Sequence, residues 1–137
     1  MELLDIKILN TAIERQLNKE LAKLGITCTQ ANVVGFLRLH TEENICQRDI
    51  EYNLGLSHPT VSSVLRRMEE KGMVRSRTLE SDRRFHAITL TDKALEMVDA
   101  IRTIMHRIAE QVFDGVSREE QDQMDQMVQK MIQNIKA

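Results

Sequence analysis

Between Ile50 and Thr91 the chain changes character three times in quick succession, and that order leaves few ways to fold. A short segment, Ile50-Glu51-Tyr52-Asn53-Leu54, runs into Gly55-Leu56-Ser57; a second helical pattern runs from there to Gly72; two strand-like runs, Val74 to Thr78 and Phe85 to Leu90, then flank a polar tip from Leu79 to Arg84. Gly55 is placed to close the first helix, because glycine enters the left-handed conformation without a Cβ penalty. Ser57 is a natural N-cap for the second helix, and Pro59 falls in its first turn, where a missing N–H costs nothing. The order is therefore helix, three-residue turn, helix, hairpin.

On a helical wheel Val61, Val64, Leu65 and Met68 share one stripe. Pro59, Ser63, Arg66 and Glu70 lie opposite, flanked by Thr60, Ser62 and Arg67, and His58 stands at the helix entry. Small hydroxyl side chains let a helix approach the floor of a major groove, and arginine can offer guanine a bidentate fork. The hairpin adds Arg75, Arg77, Arg83 and Arg84. From Ser57 to His86 seven basic residues, Lys71 among them, face four acidic ones, a local balance of +3 in a chain whose formal net charge is −2. One basic face on an otherwise acidic chain is what phosphate contact requires, since affinity follows the local lysines and arginines that displace counterions. These residues are the candidate DNA-binding set. The blander alternatives are a solvated amphipathic helix and a module whose basic hairpin docks an acidic protein.

The two ends carry a different signal. Ile6, Leu9, Ile13, Leu17, Leu21 and Leu24 recur at helical steps until Gly25. After Thr91, a plausible N-cap, Leu95, Val98, Ile101, Met105, Ile108 and Val112 repeat the pattern, and a third helix from Ser117 and its capping partner Glu120 carries Met124, Met127, Val128, Met131 and Ile135. Three apolar stripes on so thin a central module call for a second copy to cover them, the alternative being a three-helix cap folded within one chain. The expected architecture is mainly α: a winged helix-turn-helix over residues 26–91, with a small β-hairpin wing, and dimerisation helices over 1–25 and 92–137.

Bulk properties fit a single domain. Apolar residues make up 42% and aromatics 3%, so Leu, Ile, Val and eight Met must fill the interior. No run is long enough to span a membrane, and Met1-Glu2-Leu3-Leu4-Asp5 lacks the basic start of a secretory signal, so a cytoplasmic setting is expected. No Gly-rich phosphate loop, nucleophile elbow or acid–base constellation suggests an enzyme, and no cofactor is implied. Cys28 and Cys46 each fall at a helix start, where a thiol pKa tends to fall, so both are candidates for redox sensing as well as for inert burial. His40, His106 and Glu110 could meet as a partial metal set, but no HExxH or paired CxxC spacing accompanies them, and no metal site is expected.

Ile26-Thr27-Cys28-Thr29-Gln30, Leu54-Gly55-Leu56-Ser57, Met68-Glu69-Glu70-Lys71-Gly72-Met73-Val74, Asp82-Arg83-Arg84 and Leu90-Thr91, in that order, resemble the MarR family of bacterial transcriptional regulators. The resemblance implies a homodimer on a double-stranded DNA operator, with the helices from Ser57 in successive major grooves and Arg84 of the wing in the minor groove. It further implies that Asp82 supports the wing by pairing with an arginine, and that a small-molecule effector binds where the first two helices, the wing base and the helix after Thr91 converge. An effector-responsive repressor of this kind is the leading expectation, with the protein-docking module and a thiol-based sensor as alternatives. The chain departs from the family pattern at Glu51, where a small residue is usual, at Cys46, where Ser or Thr commonly caps, and at Leu79-Glu80 in the wing tip.

Overall fold

The computed structural model describes residues 1–136. Six α-helices and one hairpin follow in order: α1 (Leu3–Leu21), α2 (Cys28–Leu39), α3 (Gln47–Leu54), α4 (His58–Glu70), β1 (Val74–Thr78), β2 (His86–Leu90), α5 (Asp92–Val112) and α6 (Arg118–Lys136), with a 3-10 turn, Ala22–Leu24, after α1. The mainly helical winged helix-turn-helix expected from the sequence is the fold observed.

Local chemistry explains most boundaries. Thr27 caps α2 by accepting the Gln30 amide at 3.2 Å, while Gln30 Oε1 accepts the Thr27 amide at 3.1 Å, a closed capping box. Gly55, at φ 65°, ends α3, and Ser57 Oγ accepts the Thr60 amide at 3.3 Å to begin α4. Thr91 does the same for α5 through Ala94. The strands pair antiparallel, Val74 with Leu90 through Thr78 with His86. β2 begins at His86, one residue later than the sequence suggests, because the Phe85 amide turns back to the Asp82 carbonyl and closes the tip.

The core gathers around α2. Val33, Val34 and Leu37 of α2 belong to one buried cluster with Leu17 and Leu21 of α1, Ile50 of α3, Val61, Leu65 and Met68 of α4, Met73, Val74 and Ile88 of the wing root, and Ile101, Ile104 and Ile108 of α5. Each such side chain contributes roughly 1.5 to 3 kcal/mol by leaving water. The wing is fixed at its base: the Ile88 amide donates to the Ile45 carbonyl at 2.7 Å, and Thr91 Oγ1 donates to the Gly72 carbonyl at 2.5 Å. The hairpin is thereby aimed by the core while its tip projects.

The terminal helices are unfinished by comparison. α6 buries no residue at all, and Leu3, Leu4, Ile6, Ile8 and Leu9 of α1 are exposed with Met124, Met127, Met131, Ile132 and Ile135 of α6. A three-helix cap within one chain is therefore not formed. No helix among the described residues is long and apolar enough to cross a membrane.

Candidate nucleic-acid interface

α4 divides its polar residues between two concavities. Ser62 and Arg66 line a groove of about 940 Å³ whose other wall is α3 and the wing, with Arg75, Arg84 and His86 opposite. Ser63 and Arg67 line a smaller cleft of about 340 Å³ on the far side, against α1 and the start of α2. The single face expected from the wheel is thus a ridge with a slope on each side. His58, Pro59 and Thr60 are exposed at its leading end, and nothing bulkier than an imidazole stands there.

The wing supplies the opposite wall. Arg75, Arg77, Arg83 and Arg84 are all exposed, and the Arg84 side chain is 96% open to solvent. Asp82 Oδ1 accepts the Arg84 backbone amide at 3.0 Å and lies 3.7 Å from Arg84 Nε, so it shapes the tip and steers the guanidinium while leaving its other donors free. Arg77 is tethered in part, donating to Asn44 Oδ1 at 3.2 Å. Arg66 across the groove from Arg75 and Arg84, with Arg48 in the same lining, outweighs Glu51 and Glu69 and leaves the concavity net positive, suited to a polyanion.

One basic residue of the local +3 balance does not belong to this surface. Lys71, half-buried at the end of α4, donates to the Gly25 carbonyl at 2.7 Å and to Gln30 Oε1 at 3.0 Å, tying α4 to the corner between α1 and α2. Its partners lie over forty positions away in sequence, and no local pattern announces them.

The cysteines separate. Cys28 is buried, and burial together with Glu14 pushes its thiol pKa up, partly offset by a contact from Asn32. The lowering expected from its place in the first turn of α2 is reversed, because desolvation of a thiolate outweighs the helix end. Cys46 is half-buried at the N-cap of α3, and its thiol donates to Asp49 Oδ2 at 3.3 Å. The histidines are also dispersed: His40 pairs with Glu43 at 3.2 Å and His106 with Glu110 at 3.1 Å. No cluster of three metal-ligating side chains forms among the described residues, so the His40–His106 meeting is not seen.

Gln47 and Glu51, which the sequence left without a contact role, also stand inside the groove. Gln47, the first residue of α3, reaches Ser62 Oγ at 2.7 Å, and Glu51 one turn later places Oε2 2.8 Å from His58 Nδ1. Glu51 can replace a small residue at this crossing because it has the histidine to bond.

Comparison with known proteins matches this geometry. The S. aureus MepR–DNA complex superposes with a TM-score of 0.89 at 25% identity over 98% of each chain. The transcriptional regulator SlyA gives 0.88 at 21% identity over 98% of this chain and 93% of that one. CouR from Rhodococcus jostii RHA1, solved with p-coumaroyl-CoA, gives 0.80 at 21% identity over 93% and 88%. The sequence profile of the MarR family matches residues 28–86, from the start of α2 to the wing, which is the stretch that builds the groove. With that match on the reading lobe and the whole fold shared, the chain is similar to MarR-family regulators in the sequence of its reading lobe and in its fold throughout.

Proposed function

We propose that the chain is a sequence-specific, dimeric DNA-binding transcriptional regulator that represses from a pseudo-palindromic operator and leaves it when an effector binds. The observation that carries this reading is the groove in which Arg66 of α4 faces Arg75 and Arg84 of the wing beside a slim, hydroxyl-bearing helix start. α4 enters the major groove with its N-terminal half, where Thr60, Ser62 and Ser63 allow close approach and Arg66 can fork onto guanine. Arg83 and Arg84 reach the adjacent minor groove, whose narrow parts concentrate negative potential. MepR, the 25% identical relative, has been solved as a DNA complex, which supports the same use of the same fold here.

Pairing follows from the uncovered apolar stripes of α1 and α6. Two copies joined through them set the spacing of two reading heads, about one helical turn apart on the duplex. For release, an effector must bind the spread arrangement more tightly than the DNA-competent one. A cleft of about 200 Å³ lined by Leu37 of α2, Ile88 and Leu90 at the wing base and Leu95 of α5 lies at the junction the resemblance points to and is the effector site this reading favours.

A salt titration tests the core of the reading. A palindromic duplex should bind far more weakly as salt rises, with log K falling in proportion to the phosphates neutralised, and should be preferred over random duplex by roughly 10³-fold or more. Equal affinity for any acidic polymer would transfer the basic hairpin to a protein-docking role.

A further inference from the structure

The crossing of α3 and α4 holds a polar quartet whose hydrogen-bond directions follow from its contacts. Gln47 and Glu51 are one turn apart on α3; His58 and Ser62 are one turn apart on α4. His58 Nδ1 lies 2.8 Å from Glu51 Oε2. A carboxylate only accepts, so Nδ1 carries the hydrogen. Gln47 Nε2 is 3.1 Å from that same nitrogen, but with hydrogens on both atoms no bond forms there. The amide instead points one N–H at Ser62 Oγ, 2.7 Å away, and the other at the His58 carbonyl, 3.4 Å away. That carbonyl also only accepts, which fixes the facing atom of Gln47 as nitrogen.

Two consequences face the groove. With an oxygen lone pair of Ser62 filled by Gln47, the Ser62 hydroxyl hydrogen is free to be donated outward. With Nδ1–H held by Glu51, the Nε2 of His58 is an acceptor whenever the ring carries a single hydrogen. We propose that Gln47 and Glu51 are positioning residues that set the hydrogen-bond polarity of the reading face, Ser62 as donor and His58 Nε2 as acceptor, without touching DNA themselves. Ser62 then suits guanine O6 or N7, adenine N7 or thymine O4; His58 suits cytosine N4 or adenine N6. This deepens the DNA-reading function proposed above and rests on it.

The test uses the full chain, its best duplex and every single-base variant of one half-site. Gln47→Glu turns the neighbour of Ser62 from donor to acceptor, so the Ser62 hydroxyl bonds inward. At the base that Ser62 reads, the preference should then change by roughly five- to tenfold, with other positions unmoved. Glu51→Ala should flatten the preference at the base that His58 reads, and Glu51→Gln, whose amide oxygen still accepts from Nδ1, should keep it. The ¹⁵N signature of the His58 ring in the free protein should be the Nδ1–H tautomer in the parent and Glu51→Gln, and should lose that bias in Glu51→Ala. Uniform weakening across all duplexes by Gln47→Glu, or an Nε2–H tautomer in the parent, would overturn the assignment. Should the parent prefer no duplex at all, the DNA-reading function falls, while the ring signature still decides the protonation.

Discussion

The lobe from α2 to β2 and the terminal helix α6 are both rich in aliphatic and methionine side chains, yet only one of them closes on itself. In the lobe Met68 and Met73 are at most 1% exposed, packed among Val33, Val34, Ile50 and Val61. In α6 Met127 is 56% exposed, Met131 45% and Ile135 86%. Methionine is a pliant apolar side chain that fits irregular surfaces, so a row of it left in water marks a face awaiting a partner. The lobe is finished within one chain and can aim its groove alone. The arms need a second copy.

The sharpest way to break that contrast is to damage both regions. Met68→Ala should lower unfolding free energy by about 2 to 5 kcal/mol, because the void in a closed core relaxes only partly, and chemical denaturation should show the loss at every protein concentration. Met127→Glu should instead leave the lobe folded by circular dichroism and shift sedimentation toward monomer. Equal, concentration-independent losses from both would mean that α6 is covered within its own chain.

Within the finished lobe, the wing and the α4 terminus separate reading from holding. Arg84→Ala should cost on the order of 1 to 3 kcal/mol of operator binding with dimerisation intact; a loss under twofold in a gel-shift titration would remove the wing from the interface. Arg66→Ala should reduce the salt slope of binding by about one phosphate's worth, or change base preference if it reads guanine. Lys71→Met should do neither, and should cost about 0.5 to 1.5 kcal/mol of stability by removing the donor shared by the Gly25 carbonyl and Gln30. Ser57→Ala, which deletes the α4 cap, should cost about 1 kcal/mol in thermal or urea unfolding.

The smallest effect lies on α1. A hydrogen bond from Lys23, with its charge and that of Arg107, holds the Glu20 carboxyl below its ordinary range. A folded pKa below the unfolded one gives a contribution present above the unfolded value and lost as pH falls through the folded one. Stability should therefore drop slightly on acidification below the usual carboxylate range, and Glu20→Gln should flatten that part of the profile.

What the sequence disclosed follows the range of the forces involved. Gly55, Ser57, Gly72 and Thr91 act on their immediate neighbours, so turns, caps and element order were legible, and the Leu-Gly-Leu-Ser turn with Asp82-Arg83-Arg84 pointed to the family. The inward turn of Lys71, the burial of Cys28 beneath Asn18 and Glu14, and the grip of Gln47 on Ser62 are contacts between distant segments. A wheel also cannot say that Ser62 and Ser63, adjacent in sequence, descend opposite slopes of the same helix, because the slopes exist only once the wing and α1 are in place.

Selection of bound sequences from a random duplex pool tests the central claim most directly, since it reports base preference, symmetry and spacing together. Two finished lobes held apart by shared arms should enrich an inverted repeat with half-site centres about 10 bp apart, or a multiple of that turn. Enrichment of a single unrepeated site, or of nothing above the starting pool, would contradict it.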